Sequence, residues 1–168
     1  REHGIRATRI AHGVPMGGEL AKAPAGKRPA FMVHAMRDPS GPNLDRIQVI
    51  KGWLGADGKT QERIFDVAVS GGRQIGRDGR CKTSVGSTVD VANATYTNTI
   101  GAASLSAYWQ DPAFDATQRA FYYVRVIQIP SPRWTAYDQK RYGIKMSDSV
   151  PMTVTDRAYT SPIWYAPG

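Results

Sequence analysis

Apolar and polar residues alternate in short runs along most of this chain, and clusters of Gly, Pro, Asn and Asp separate the runs. That rhythm has the period of a pleated strand and predicts β-structure. Ala30-Phe31-Met32-Val33-His34-Ala35-Met36 is one apolar run, stopped by Asp38-Pro39-Ser40-Gly41-Pro42-Asn43. Arg46 to Leu54 and Glu62 to Val69 are two more, placed around Ala56-Asp57-Gly58-Lys59. An Asp-Gly pair suits the left-handed positions of a tight turn, so these two runs predict a hairpin. Ser104 to Trp109 is a further strand. Arg119 to Ile129 is the richest β segment, with Ala120, Tyr122, Val124 and Val126 on one face and Phe121, Tyr123, Arg125 and Ile127 on the other. Two largely apolar faces predict a central strand, buried on one side and partly covered on the other. The final strand, within Arg157 to Tyr165, is an edge strand or starts beyond Pro162, whose nitrogen cannot donate to a ladder.

A single helix is predicted over 132–142. Ser131 is placed as its N-cap and Pro132 at its first position, where a missing N–H costs nothing. Lys140 and Arg141 suit the negative end of the helix dipole, and Gly143 stops it. Asp115-Ala116-Thr117-Gln118 has capping-box spacing and predicts one helical turn. Residues 70–86 form a polar loop with five glycines, predicted to be mobile. Residues 1–29 read as an N-terminal extended linker or edge segment, and 30–168 as the β-sandwich domain. Roughly seven short strands with one helix define the fold class: mainly β, an Ig-like or Greek-key β-sandwich. One helix cannot build an α/β layer.

The 168 residues carry a net charge of +8, so nucleic-acid binding has to be weighed. Residues 1–84 hold 15 basic and 8 acidic side chains, and residues 85–168 hold 7 and 6. These charges are scattered through loops rather than massed on one element, and no nucleic-acid signature is present, so specific nucleic-acid binding is not expected. No apolar stretch approaches the roughly 18 residues of a membrane span. The chain opens at Arg1-Glu2-His3 without an initiator Met or a secretion-type leader, and reads as a mature product or, in preference, a piece of a longer protein.

Few residues suggest chemistry. The lone cysteine, Cys81, excludes an internal disulfide and reads as an incidental surface thiol. His3, His12 and His34 match no metal-ligand spacing, so no metal or other cofactor is expected in this chain. Gly13 to Gly18 is a turn rather than a phosphate cradle, for it lacks the Gly-Lys-Ser/Thr ending. Asp111 and Asp115 are spaced for a turn and a cap, not for paired acid–base work. No catalytic constellation is found. The one suggestive group is Arg133, Trp134, Tyr137 and Arg141 on the helix. A cationic and aromatic face can line a site for an anionic or ring-shaped ligand. The alternative is that Trp134 and Tyr137 pin the helix to the sandwich while the arginines are solvated.

Several longer motifs carry a family resemblance. They are Pro15-Met16-Gly17-Gly18, the run from Pro42 to Trp53, Val89 to Tyr96, Pro132 to Asp138, and Thr160 to Tyr165. Together they resemble the C-terminal region of the bacterial family labelled domain of unknown function 3604. Members look similar to the polymerase-and-histidinol-phosphatase (PHP) superfamily of metal-dependent hydrolases. The resemblance implies a non-catalytic C-terminal module, partnered by an N-terminal metallohydrolase-like domain whose cleft it completes or shields. It also implies a divalent metal in that N-terminal domain, because the family's metal-binding His and Asp motifs map onto no residue here. The competing expectation is a stand-alone ligand- or surface-binding module.

Overall fold

The computed structural model describes residues 13–24 and 26–167. Its elements, in chain order, are β1 (Glu19–Ala21), β2 (Ala30–Met36), β3 (Leu44–Leu54), β4 (Thr60–Val69), β5 (Ser104–Gln110) and β6 (Ala120–Gln128). There follow β7 (Ser131–Pro132), α1 (Trp134–Tyr142), β8 (Thr153–Val154), β9 (Arg157–Tyr159) and β10 (Ile163–Ala166). The expected class holds: a mainly β sandwich with one short helix among the described residues.

The larger sheet runs β1-β10-β6-β3-β4, and β9 shares with β10 the same edge of β6. The smaller layer is the antiparallel pair β2-β5. The chain passes between the two layers at β1–β2, β2–β3, β4–β5 and β5–β6. The predicted hairpin is β3-β4. Gly58 closes its turn at φ +74, a conformation that the missing Cβ makes accessible, and Gly55 N–H donates to Lys59 C=O at 2.8 Å. β10 begins just past Pro162, and its other neighbour is β1, in parallel. Glu19–Ala21 thus forms one edge of the larger sheet. His3 and His12 lie outside the described residues.

Rings fill the space between the layers. Phe31 of the small sheet lies 4.8 Å from Tyr122 and 5.8 Å from Trp109, centroid to centroid, and Phe65 lies 4.8 Å from Trp109. Val49, Ala120 and Tyr165 complete the buried cluster. A charged group sits within this core. Lys51 Nζ donates to Asp111 Oδ2 at 2.7 Å and to Ala113 C=O at 2.8 Å, and Tyr122 Oη–H donates to the same carboxylate at 2.8 Å. Burial, and then the hydrogen bond to Asp111, push the Tyr122 phenol up and keep it protonated. Asp111 does form the expected turn, accepting from Ala113 N–H at 2.8 Å. Its pairing with Lys51 joins residues 60 apart in sequence and no local pattern announces it.

Four local expectations need correction. The helix starts at Trp134, with Arg133 as N-cap and no side-chain cap bond, because Ser131 and Pro132 pair with β8 as a strand. Gly143 does end the helix, in the left-handed conformation. Residues 115–118 form a turn, not a helical turn: the Asp115 carboxylate accepts from Thr117 N–H two residues on. The five-glycine loop is tied down rather than free. Arg73 bonds Asp45, Ser70 and Thr83, and Asp66 accepts from Cys81 N–H at 2.7 Å. Cys81 is accordingly buried, at 6% exposure, and is not a surface thiol.

Candidate functional site

The helix α1 carries the residue group that the sequence pattern singles out. Its attachment relies on small residues. Ala136 and Thr135 are buried, and Thr135 Oγ1–H donates to Pro151 C=O at 2.6 Å. Trp134 and Tyr137 point away, at 61% and 50% exposure, so they are not the pins of the helix. The Arg133 guanidinium carbon lies 5.9 Å from the Trp134 ring centre, and that of Arg141 lies 5.6 Å from Tyr142. These are cation–π distances. Arg133, Trp134, Tyr137 and Arg141 therefore sit on an open cationic and aromatic face, unspent on the fold.

A second surface was not anticipated. On the outer face of the large sheet, strand register sets five residues in one transverse row: Glu19, Trp164, Phe121, Gly52 and Glu62. Gly52 is what lets the row lie flat. An added Cβ there would meet Phe121 Cζ at 2.3 Å, so the Phe121 ring lies across the bare backbone of its neighbour strand. Rings continue along β6. Centroids step 5.2 Å from Trp164 to Phe121, 6.3 Å from Phe121 to Tyr123, and 6.2 Å from Tyr123 to Tyr159. Phe121 and Tyr123 are within 14° of parallel. Trp164 is 52% exposed, and a cleft of about 640 Å³ opens over it, rimmed by Glu19, Glu62 and Arg119. None of those three side chains forms an ion pair or hydrogen bond among the described residues. Burial, then the nearby negative charge of Glu62, raise the Tyr123 phenol above its ordinary value.

The same face carries a polar ladder further along. Arg125 Nε–H donates to Gln48 Oε1 at 2.7 Å, and Gln48 Nε2–H donates to Asp66 Oδ1 at 2.6 Å. Arg46 joins Asp66 at 3.1 Å and Asp45 at 3.0 Å. Burial lowers the Arg46 pKa, but the two carboxylates outweigh it and hold the guanidinium charged. This network fastens the 70–86 loop and is structural.

His34 Nδ1 lies 2.7 Å from Ser106 Oγ on the open face of β2-β5, and no carboxylate bonds the ring among the described residues. A nucleophile–base pair without an orienting partner on a bare surface is no triad. Glu19 and Glu62 stand at opposite ends of a five-strand row, about 19 Å apart at the usual strand spacing of about 4.8 Å. Paired carboxylates of glycoside hydrolysis stand about 5–9.5 Å apart. Among the described residues, no three His, Cys, Asp or Glu side chains gather to hold a metal ion.

These features define a mainly β sandwich with two open faces that carry aromatic and charged side chains. The family model described as "Protein of unknown function (DUF3604)" matches residues 2–167, and the chain belongs to that family. No curated protein and no solved structure matches the chain.

Proposed function

We propose that the chain is a non-catalytic C-terminal β-sandwich module of a PHP-like metal-dependent hydrolase, which completes or shields the active-site cleft of an N-terminal domain. The observation that carries this reading is the helix face. Trp134, Tyr137 and Tyr142 are exposed although each could have been buried, and Arg133 and Arg141 flank them. Exposed aromatics in a group mark an interaction surface. Guanidinium groups pair bidentately with carboxylate or phosphate, so Arg133 or Arg141 would meet an anionic substrate group at the rim of that cleft. The divalent metal would belong to the N-terminal domain; among the described residues of this chain no three His, Cys, Asp or Glu side chains gather to hold one.

The test uses the longer polypeptide. Its upstream coding sequence should contain a His-x-His-type metal motif. Arg133→Ala and Arg141→Ala should lower metal-dependent hydrolysis by that polypeptide while leaving the melting of the module unchanged. An upstream region without metal-ligand motifs, or full activity in both variants, would refute the reading. A second reading, a module that holds a ligand by itself, is favoured by the concave aromatic cleft on the outer sheet face.

A further inference from the structure

We infer that the outer face of the large sheet is a binding site for a neutral carbohydrate chain. The inference deepens the ligand-binding reading by naming the ligand class. Sugar rings in a flat, equatorially substituted chain present C–H faces above and below and hydroxyls around the rim. Aromatic faces receive the first, and carboxylates, amides and guanidinium groups receive the second.

The site has both parts in register. Trp164 and Phe121 form the floor of the transverse row, and Gly52 keeps the Phe121 ring down against the sheet. Tyr123 and Tyr159 extend the floor along β6. Glu19 and Glu62 close the two ends of the row, and Arg119 lies on the rim. Their hydrogen-bonding capacity is unspent among the described residues. A ligand several rings long would therefore stack along the floor and offer hydroxyls to both ends.

Charge decides between this ligand and two others. The molecule as a whole is basic, at +8, which favours a polyanion. At the cleft over Trp164 and Phe121 the balance reverses, with two carboxylates against one guanidinium, while Arg125 and Arg157 lie on the Tyr123–Tyr159 extension, Arg125 with its Nε–H already given to Gln48. A phosphate backbone laid along the rings would meet Glu19 and Glu62. An apolar protein surface pressed onto the floor would strip water from both carboxylates without pairing them. A neutral polyhydroxylated chain satisfies them and keeps the site wet.

The experiment labels the whole chain with 5-fluorotryptophan, which gives one ¹⁹F resonance for each of its four tryptophans. Trp164→Phe assigns the resonance of interest. Cellohexaose, chitohexaose and xylohexaose are titrated separately. At least one should shift the Trp164 resonance saturably and leave that of Trp134 unmoved. Trp164→Ala and Tyr159→Ala, both at exposed positions, should each weaken binding about tenfold, the scale of losing one stacked ring face. Tyr108→Ala, an exposed ring on the small sheet, should bind as the parent does. If oligo-dT shifts Trp164 and the sugars do not, the face binds a ligand but the carbohydrate assignment is wrong. If no probe shifts it, or acrylamide fails to quench Trp164 in the longer polypeptide, the ligand-binding reading itself falls. Unchanged sugar affinity in both alanine variants would also overturn the site.

Discussion

Asp111→Ala is the most exposed test of how this core is held. Asp111 has 0% exposure, and its carboxylate accepts from Lys51, Tyr122 and the Ala113 backbone. Removing it strands a buried ammonium, since Lys51 keeps only the Ala113 carbonyl. Breaking a buried pair from one side costs about 3–5 kcal/mol. The orphaned Tyr122 hydroxyl adds about 1–3 kcal/mol, though groups in one network do not sum simply. A loss of about 4 kcal/mol is expected, a large part of the roughly 5–15 kcal/mol that stabilises a domain. Urea denaturation followed by far-UV circular dichroism would read it as a lower midpoint at unchanged slope. Thermal melts should fall by roughly 8–16 °C, at about 2–4 °C per kcal/mol for a domain of this size. The reasoning also requires rescue. Lys51→Met with Asp111→Leu and Tyr122→Phe removes the three side-chain partners together and leaves only the backbone groups of the exposed Ala113, so it should recover most of the loss, because an apolar replacement of a buried pair is often neutral. A loss below about 1 kcal/mol in Asp111→Ala, or a triple variant no better than the single one, would refute this account.

Three further outcomes follow from the geometry. Gly52→Val should lift Phe121 off the sheet and destabilise the domain by about 1–3 kcal/mol, the range for overpacking, as read in the same urea assay. Trp134→Ala should change stability by no more than about 0.5 kcal/mol, whereas Thr135→Val should cost about 1–3 kcal/mol by leaving the Pro151 carbonyl unsatisfied; equal melts for the two would contradict the assigned anchor. The Asp90 carboxyl sits below its ordinary value because the side chain and then the backbone N–H of Asn93 donate to it. Its stabilising contribution is therefore full above the unfolded value near about 3.9 and is lost as pH falls through the folded value. A carboxyl-detected NMR titration should show Asn93→Ala moving that midpoint upward.

Much of the fold is readable from local pattern because its strongest strands are locally patterned. The β3-β4 hairpin follows from alternation around Asp57-Gly58, and β6 from an unbroken run of aromatic and β-branched residues. The small strands β7 and β8 are two residues long, too short to show a period, so Ser131-Pro132 reads as a helix start. The helix group was found by spacing, but its exposure was not legible, since a Trp at helical spacing looks the same whether it faces core or solvent. The transverse row escaped for a different reason. Glu19, Gly52, Glu62, Phe121 and Trp164 are far apart in the chain, and only strand register makes them neighbours. Its one sequence trace is Gly52, a glycine inside a strand run, which signals close approach by another group.

The fastened 70–86 loop also bears on how the molecule avoids its own kind. β4 is ten residues long and forms one edge of the large sheet, a template on which a second chain could pair. The Asp66 N–H that would serve such a partner already donates to Gly79 C=O at 2.8 Å. Arg77, Asp78, Arg80 and Lys82 surround that contact with charge. At the opposite edge, β1 is only three residues long. The loop therefore works as a selvedge, and shortening it would turn a covered sheet margin into a template for strand-to-strand aggregation.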